Sequence, residues 1–436
     1  MELVVIADDL TGANATGVKL DQIGLSTATV VSNQTLPNDQ YDALCFDTDS
    51  RYDESIVANE KVKSIMETIE DTNLSPTLYS KRIDSTLRGN LGAEIDAMLD
   101  YLDHETVAIV VPSYPKSERV SVGGYLLVNG VPLEETEVAQ DPVKPIHTSK
   151  VNELVEVQSM YDVATIELCD VLKGNQSIKQ AIQSKADQGF KIITIDAVTD
   201  EEIENVAQAS AQLNNPVLTV DPGPFTSAFA NEVLHQQQEE NKYILTIGSV
   251  TPVTQNQIQY FTGKYDAKPV YVDPAKLASF TDSWQEEVNR AIDVAKDRIA
   301  QENFILITTN EPSQTVLDLN KLATTEKVSK EKLAKQITDG LAAITYDLAN
   351  QPYRLGGFYF SGGDLTASIC HIAKAEGIKL EGEVLPLASY GKLIGGELAN
   401  TSIVTKGGLI GDKKAIVESI KYLQTINSKG VINNAN

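Results

Sequence analysis

Short apolar runs rich in valine and isoleucine alternate along this chain with longer amphipathic stretches. The runs are continuously apolar, as expected for strands that are buried on both faces of a sheet. Helical patterns separate them, and this order of elements predicts mostly parallel sheets covered by helices. We therefore predict an α/β fold. The predicted strands are residues 3–7, 43–46, 107–111, 191–195, 217–220, 243–247, 269–272, 304–308, 357–360 and 402–405. The clearest predicted helices are residues 55–69, 203–213, 284–300 and 330–348.

The length of the chain predicts two domains. A chain of 436 residues exceeds what one hydrophobic core usually holds. The polar stretch HQQQEENK, residues 235–242, separates the first series of predicted strands from the second. We predict an N-terminal domain over residues 1–235 and a C-terminal domain over residues 243–436. Clefts between such domains often bind ligands, so we also expect an interdomain cleft.

Composition excludes several classes of partner. The 61 acidic and 36 basic residues give a net charge of −25, which repels nucleic acid and anionic lipid. No apolar stretch approaches the roughly 18 residues of a membrane helix, and no basic leader precedes the first strand. The three cysteines and four histidines are scattered, without disulfide or zinc spacing. We expect a cytoplasmic protein with small-molecule partners, no nucleic acid and no membrane, and we leave a homo-oligomer open.

Two adjacent aspartates, Asp8 and Asp9, end the first predicted strand in the segment VVIADDLTGANATG. In open α/β sheets, ligands bind beyond the carboxyl ends of the strands. The alternative is a helix cap, in which Asp9 or Thr11 accepts backbone N–H groups. A cap explains one carboxylate but not two, because adjacent strand residues point to opposite sides. We therefore interpret the pair as part of a site.

The segment SKRIDSTLRGN is the densest cationic cluster in this acidic chain. Arginine grips a carboxylate with two parallel hydrogen bonds, and lysine supplies a point charge. The alternative is a solvated helix start with Asp84 or Ser85 as its cap. The cluster runs against the overall charge of the chain and so favours a small-anion site, formed by Lys81, Arg82, Asp84, Ser85 and Arg88.

Three turns in the C-terminal half follow predicted strands and are rich in glycine or hydroxyl groups. They are found in GSVTP, SGGDLT and KGGLIGD. Such turns let a phosphate approach the backbone at the start of a helix. For SGGD, a plain tight turn with Asp364 as helix cap is an equal alternative. No turn matches the Walker or G-x-G-x-x-G pattern. The predicted phosphate-binding residues are Ser249, Thr251, Ser361, Gly362, Gly363, Asp364, Lys406, Gly407, Gly408 and Gly411.

Together these segments resemble the four-carbon acid-sugar kinase family. The matching motifs are IADDLTGA, KRIDSTLRGN, PSYP…GGYLLVNGVPLEETEVAQDPVKP, VDPGPF, GSVTPVTQNQI, SGGDLT and KGGLIGD, in the order of the family and over nearly the whole chain. Where the family tends to have Thr-Gly-Gly-Asp-Thr, this chain has Ser361-Gly-Gly-Asp-Leu-Thr366. Where many members have Pro-Ala-Phe-Pro, it has Pro112-Ser-Tyr-Pro115. These differences leave the sugar subtype open.

The resemblance implies an acid-sugar domain followed by a nucleotide domain. It implies phosphorylation of the terminal hydroxyl of a tetronate or 3-oxo-tetronate, with ATP and a divalent metal such as Mg²⁺. Lys81, Arg82 and Arg88 suit the substrate carboxylate, and Asp8, Asp9 and Asp84 suit its hydroxyls, with Thr11 and Ser85 beside them. Either Asp84 or Asp9 is expected to accept the hydroxyl proton. The metal ligands are not assigned.

Two other readings remain at this stage. A phosphatase of the haloacid dehalogenase type also begins with a strand that ends in aspartates. Its two aspartates stand two positions apart, whereas Asp8 and Asp9 are adjacent. A non-catalytic sugar-acid sensor would keep the first domain but has no need of the three phosphate-type turns.

Overall fold

The computed structural model describes residues 1–31, 36–37, 39–72, 74–235, 241–312 and 316–432. The chain divides into two compact units, Met1–Gln236 and Gln237–Asn436. Residues 236–240, the middle of the predicted boundary stretch, lie outside the described residues. Within the described ranges, no helix is long and apolar enough to cross a membrane.

The first unit is built on a sheet of eight parallel strands. The strands of the unit are β1 (Leu3–Ala7), β2 (Thr27–Val31), β3 (Ala43–Asp47), β4 (Leu78–Arg82), β5 (Val107–Val110), β6 (Arg119–Val122), β7 (Tyr125–Val128), β8 (Val131–Pro132), β9 (Val163–Ile166), β10 (Ile192–Ile195) and β11 (Val217–Asp221). The helices are α1 (Leu10–Gln22), α2 (Ser55–Asp71), α3 (Leu91–Leu99), α4 (Val151–Glu156), α5 (Leu168–Val171), α6 (Asn175–Asp187), α7 (Asp200–Ser210) and α8 (Pro224–His235). The sheet order is β2-β3-β1-β4-β11-β5-β10-β9, and β6 to β8 form a separate three-stranded antiparallel sheet.

Strand β1 shows why its sequence is continuously apolar. Leu3, Val5 and Ala7 pack into one hydrophobic core, and Val4 and Ile6 pack into a second core on the opposite face. Side chains alternate between faces, so a strand covered on both sides needs apolar residues at every position. The first polar residues can appear only where the strand ends, and this places Asp8 and Asp9 at the edge of the sheet.

The second unit contains a mixed sheet of seven strands in the order β13-β14-β12-β15-β18-β17-β16. The strands are β12 (Asn241–Ile247), β13 (Val270–Tyr271), β14 (Phe304–Thr308), β15 (Arg354–Ser361), β16 (Gly377–Leu385), β17 (Ala388–Ile394) and β18 (Ser402–Lys406). The helices are α9 (Pro252–Tyr265), α10 (Pro274–Leu277), α11 (Asp282–Ile299), α12 (Leu319–Glu326), α13 (Lys330–Ala349), α14 (Gly363–Ile372) and α15 (Ala415–Ile432). Among the described strands of this sheet, only the pairings of β16 with β17 and of β17 with β18 are antiparallel.

The predicted α/β class with mostly parallel sheets is confirmed. Each of the ten predicted strands is present, with ends that shift by a few residues, and the four predicted helices correspond to α2, α7, α11 and α13. The pair Asn129-Gly130 between apolar flanks in YLLVNGVPL predicts a tight hairpin. In the structure these two residues have φ angles of 53° and 76° and join β7 to β8. Positive φ at both central residues is the geometry of a type I′ turn.

Candidate functional site

The carboxyl ends of β1, β3, β4 and β11 meet at one edge of the first sheet, because these parallel strands are neighbours. Ala7 is aligned with Asp47 on one side and with Arg82 on the other, and Arg82 is aligned with Asp221. The segments that leave these strand ends therefore begin side by side. They are residues 8–9, 48–51, 83–88 and 222–223.

Asp9 is the residue that caps helix α1. Its Oδ1 accepts the backbone N–H of Gly12 at 2.7 Å. A Cβ atom at position 12 would lie 2.7 Å from that same oxygen, so the cap requires glycine there. Thr11 is exposed in the first turn. The second aspartate, Asp8, takes no part in the cap and is almost fully buried.

Arg51 holds the two aspartates together. Its Nε lies 2.7 Å from Oδ2 of Asp8 and its Nη2 lies 3.0 Å from Oδ1, a bidentate pair. Its Nη1 lies 2.8 Å from Oδ2 of Asp9, and Nη2 lies 3.6 Å from Oδ1 of Asp84. Burial opposes the charge of the guanidinium, but the hydrogen bonds and charge of Asp8 raise the pKa of Arg51 above its usual value. Sequence reasoning missed Arg51. The only signal was its place just beyond a predicted strand, in FDTDSRY.

Asp84 is the second centre of charge at this edge. Arg88 Nε donates to its Oδ2 at 2.8 Å, and the Thr86 hydroxyl donates to the same oxygen at 2.5 Å. Burial alone would raise the pKa of this carboxyl group, but the hydrogen bond from Arg88 and the charge of Arg51 lower its pKa to about 2. Asp84 therefore stays ionised at any ordinary pH.

Neither Asp84 nor the half-buried Ser85 caps a helix, so that alternative is wrong. Helix α3 begins at Leu91, and the residue at its N-cap position is Asn90. The segment between β4 and α3 is instead a loop closed on itself by Asp84 and Arg88. Arg88 Nη1 also lies 3.5 Å from Oδ2 of Asp141, which comes from a distant part of the sequence.

Lys81 and Arg82 point to opposite faces of β4, as adjacent strand residues must. Lys81 is fully buried, with its Nζ 2.7 Å from Oε2 of Glu94 and within hydrogen-bond distance of two backbone carbonyls. Glu94 also accepts a hydrogen bond from Ser50 at 2.6 Å. The ammonium of Lys81 thus lies beneath the loop that carries Arg51 and is not presented to a ligand.

Arg82 takes the other face of β4. Its Nε donates to the Ile83 carbonyl at 2.8 Å, and its Nη1 donates to the Thr16 hydroxyl at 3.0 Å and to the Pro222 carbonyl. Burial lowers the pKa of Arg82, although the surrounding carboxylates of Asp221 and others oppose that shift. The predicted cationic cluster therefore splits into a supporting lysine, a buried arginine and the more accessible Arg88.

We expect Lys81→Met to destabilise the first unit strongly. Removing one partner of a buried ion pair typically costs about 3–5 kcal/mol, since the remaining charge has no partner. Here the remaining group is Glu94, which is almost completely buried. Chemical denaturation should show that loss, and Lys81→Met combined with Glu94→Gln should recover part of it. A single variant within about 0.5 kcal/mol of the parent would contradict the buried pair.

The three predicted turns of the second unit also meet at one sheet edge. Ile247 is aligned with Ser361, and Ser361 is aligned with Lys406, because β12, β15 and β18 are parallel neighbours. The backbone N–H of Gly362 donates to the Lys406 carbonyl at 3.0 Å, and the N–H of Gly248 donates to the Ser361 carbonyl at 3.1 Å. The remaining predicted residues follow these strand ends directly.

The turn after β12 is hydrogen-bonded to the turn after β18. The hydroxyls of Thr251 and Thr254 donate to the Gly408 carbonyl at 3.0 and 2.9 Å, and Thr251 also caps α9. A Cβ atom at position 408 would lie 2.2 Å from the Ser249 hydroxyl oxygen. Only glycine allows this approach. Gly411 has a φ of 78° and its carbonyl accepts from the Gln257 side chain at 3.2 Å.

The turn after β15 leads into α14 without Asp364 as the helix cap. The N-cap residue of α14 is Gly362, with a φ of 125°, and Asp364 stands exposed in the first turn without capping it. The alternative in which Asp364 is the N-cap is therefore wrong. The first backbone N–H groups of α14 have no side-chain cap, and a helix start of this kind suits an anion.

Lys406 ends β18 as a nearly buried cation, 4% exposed. Its Nζ donates to the Gly407 carbonyl at 3.0 Å, and no carboxylate of a described residue lies within ion-pair distance, 4.0 Å, of it. Burial lowers the pKa of Lys406 to about 8. A buried ammonium without an acidic partner, beside glycine turns, can bind an anion such as a phosphate.

Comparison with known proteins decides the family. A family model described as a sugar-binding N-terminal domain matches residues 3–229, and one described as a nucleotide-binding C-terminal domain matches residues 244–416. The chain is 39% identical over 435 residues to D-erythronate kinase of Heliobacterium modesticaldum, covering 97% of each protein. This chain belongs to the four-carbon acid-sugar kinase family. The resemblance seen in the sequence motifs is confirmed.

A second relative agrees with this assignment, and a solved structure agrees with the fold. The chain is 29% identical to D-threonate kinase of Salmonella typhimurium, covering 97% of this chain and 99% of that protein. The fold matches a crystal structure from Bordetella bronchiseptica, described as a domain-swapped dimer with bound citrate. The TM-score is 0.75 at 22% identity, over 98% of this chain and 99% of that one. The two family domains fall within the two compact units.

Proposed function

We propose that this protein is an ATP-dependent kinase that phosphorylates the terminal, 4-hydroxyl group of a four-carbon sugar acid, with D-erythronate as the first substrate to test. The observation that carries this proposal is the 39% identity to a D-erythronate kinase over 97% of both chains. Erythronate, threonate and the 3-oxo acids differ in one stereocentre or oxidation state, and relatives named for each class share this family.

In this proposal the first unit binds the sugar acid. Asp9 and Asp84 offer oxygens to the substrate hydroxyls, and Arg51 and Arg88 fix those carboxylates in place. Asp8, which was also predicted to contact the substrate, is buried with both oxygens on Arg51 and so holds that arginine in position. Arg82 is buried and contributes positive charge to this cluster of carboxylates. Thr11 and Ser85, at the same edge, stay predicted contacts of the substrate, whereas the burial of Lys81 gives it a supporting role.

We assign the acceptance of the hydroxyl proton to Asp9 rather than Asp84. A carboxylate with a pKa of about 2, as in Asp84, is a weak base. Asp9 is also more accessible, with 26% of its side chain exposed against 9% for Asp84. Phosphoryl transfer depends mainly on positioning and charge stabilisation, so the proton is accepted late and a modest base suffices.

The second unit binds ATP in this proposal. Lys406, the start of α14 and the turns of Ser249, Thr251 and Gly408 form an anion site of the kind that holds nucleotide phosphates. Ser361, Gly362, Gly363, Gly407 and Gly411 complete the predicted contacts.

Mg²⁺ fits this site as a companion of the nucleotide. Among the residues that the structure describes, no group of three or more His, Cys, Asp or Glu side chains could hold a metal ion. Mg²⁺ usually binds through one or two carboxylates together with phosphate oxygens and water. Asp364, exposed in the first turn of α14, is the carboxylate that we assign to it. Bound there, the ion would neutralise charge on the phosphates.

The phosphatase alternative is disfavoured by the state of Asp8. A nucleophilic aspartate needs an accessible carboxylate, but both oxygens of Asp8 bind Arg51, and Asp8 is 3% exposed. The alternative of a non-catalytic sugar-acid sensor is also disfavoured, because a sensor would not need the buried ammonium of Lys406 beside the glycine turns.

A panel of four-carbon acids tests the proposed function. We expect the purified protein to consume ATP only when a sugar acid is added, with D-erythronate, D-threonate and the 3-oxo-tetronates as candidates. A coupled assay of ADP formation measures this, and p-nitrophenyl phosphate serves as the phosphatase control. ATP hydrolysis at a rate that does not depend on any added acid, or phosphoester hydrolysis without ATP, would contradict the proposal.

A further inference from the structure

A further cation, Lys144, lies near this edge of the first sheet. Lys144 lies in the segment AQDPVKPI, far in sequence from the strand ends. Its Nζ donates to the backbone carbonyl of Asp53 at 2.7 Å and to Oδ1 of Asn90 at 3.2 Å. Asp53 is two residues beyond Arg51, and Asn90 is two residues beyond Arg88. Lys144 therefore reaches the two loops that carry the arginines.

The backbone around Lys144 is tied to the same cluster. Oδ1 of Asp141 accepts the N–H groups of Val143 and Lys144 at 2.9 and 3.0 Å. Its other oxygen, Oδ2, lies 3.5 Å from Arg88 Nη1 and 3.4 Å from the Tyr52 hydroxyl. One aspartate thus fixes the lysine segment on one side and contacts the arginine of the site on the other.

Lys144 differs in its partners from Arg51, Arg88 and Lys81. Arg82 also has only neutral acceptors, but its side chain is buried. Arg51 and Arg88 bind carboxylates, and Lys81 binds Glu94. Lys144 is half-buried, and its two acceptors are neutral. Within the described residues, no carboxylate lies within 4.0 Å of its ammonium. An ammonium has three donors, so one remains for a ligand.

This difference matters for a substrate that is itself an acid. The edge already presents Asp8, Asp9 and Asp84, which repel an incoming carboxylate. Arg51 and Arg88 already form ion pairs with those aspartates, so little of their positive charge is left for a substrate. A substrate carboxylate therefore needs a cation whose charge is not already matched, at a place that the arginine loops reach.

We propose that Lys144 binds the carboxylate of the sugar acid and so determines the preference of this enzyme for an acid over a neutral sugar. This inference rests on the proposed function. Bound there, the acid end of the substrate lies at Lys144 and its hydroxyls lie toward the aspartates. The two neutral acceptors hold the ammonium in place without competing for its charge.

The test compares an acid with its neutral amide. We expect the parent enzyme to prefer D-erythronate to D-erythronamide in kcat/KM. Lys144→Met should reduce that preference about 10- to 100-fold, because it removes one charge-assisted hydrogen bond. The loss should appear as a raised KM for the acid, with kcat and the values for the amide little changed. Lys144→Arg should keep most of the preference. Lys116→Met, at an exposed lysine, is the matched control.

The outcomes separate this inference from the proposed function. If Lys144 only braces the two loops, Lys144→Met lowers kcat/KM for acid and amide equally, and the inference is overturned while the kinase activity stands. An unchanged preference in Lys144→Met overturns it as well. If the parent enzyme phosphorylates no four-carbon acid, the proposed function fails, and the inference fails with it.

Discussion

Arg51→Met is expected to lower kcat/KM for the sugar acid about 100- to 1,000-fold, while the affinity for ATP is retained. Arg51 contacts the carboxylates of Asp8, Asp9 and Asp84, and Asp8 is almost fully buried. Without Arg51 the neighbouring carboxylates repel one another and move, and a misplacement of about 1 Å can cost on the order of 100-fold in rate. Loss of a preorganised charged donor costs about 100- to 1,000-fold in comparable sites. Steady-state kinetics with saturating ATP, together with calorimetric titration of a non-hydrolysable ATP analogue, measures both quantities.

Arg290→Met is the matched control for Arg51→Met. Arg290 also binds a buried carboxylate, Glu287, through Nε at 2.9 Å and Nη2 at 2.5 Å, but it lies on α11 of the second unit. The Arg290→Met variant should be less stable than the parent, without a change in KM for the sugar acid. Arg51→Lys should keep one of the contacts and part of the activity. If Arg51→Met is stably folded and binds the acid as tightly as the parent, the proposed site is wrong.

The dependence of kcat/KM for ATP on pH is expected to report the ionisation of Lys406. Burial lowers its pKa to about 8 in the free enzyme. The ammonium is charged below that pH and loses its charge above it, so kcat/KM for ATP should be level below about pH 8 and fall above it. Because kcat/KM reports the free enzyme, the pKa read from it belongs to the unliganded site.

Lys406→Met should raise KM for ATP about 10- to 100-fold, as expected for the loss of a charged hydrogen bond to phosphate, and should abolish the alkaline fall. The matched control is Lys374→Met, since Lys374 is exposed and pairs with Glu397. Binding of the sugar acid should stay unchanged in both variants. An alkaline fall that persists in Lys406→Met would assign it to another group.

The sequence was sufficient to predict most of the buried parallel strands, but it missed β2, β4 and β9 of the first sheet and β16 and β17 of the second. In β4, Lys81 and Arg82 interrupt the apolar run. A strand covered on both faces must be apolar throughout, as in β1, and this leaves a clear pattern. Strand β16 is mostly exposed, with Lys379 and Glu381 paired on its surface, so it lacks that pattern. It pairs with β17 in the antiparallel direction, and its sequence contains no continuous apolar run that would predict a strand.

The site was predicted where a single segment carried the signal, and missed where the order of strands brought segments together. Asp8, Asp9 and Asp84 stand in motifs of their own, but Arg51 joins them only because β3 lies beside β1. That order depends on tertiary packing. Lys81 was assigned to a ligand because its neighbours carry charge, whereas alternation along β4 sends it to the opposite face from Arg82, against Glu94.

Phosphorus NMR of a reaction with D-erythronate, ATP and Mg²⁺ tests the proposed phosphoryl transfer itself. We expect stoichiometric conversion of ATP to ADP, with a new phosphomonoester signal coupled to the two protons of the terminal carbon. That coupling would show transfer to the 4-hydroxyl group. Release of inorganic phosphate without a sugar phosphate, or a phosphoester on an inner carbon, would contradict the proposed function.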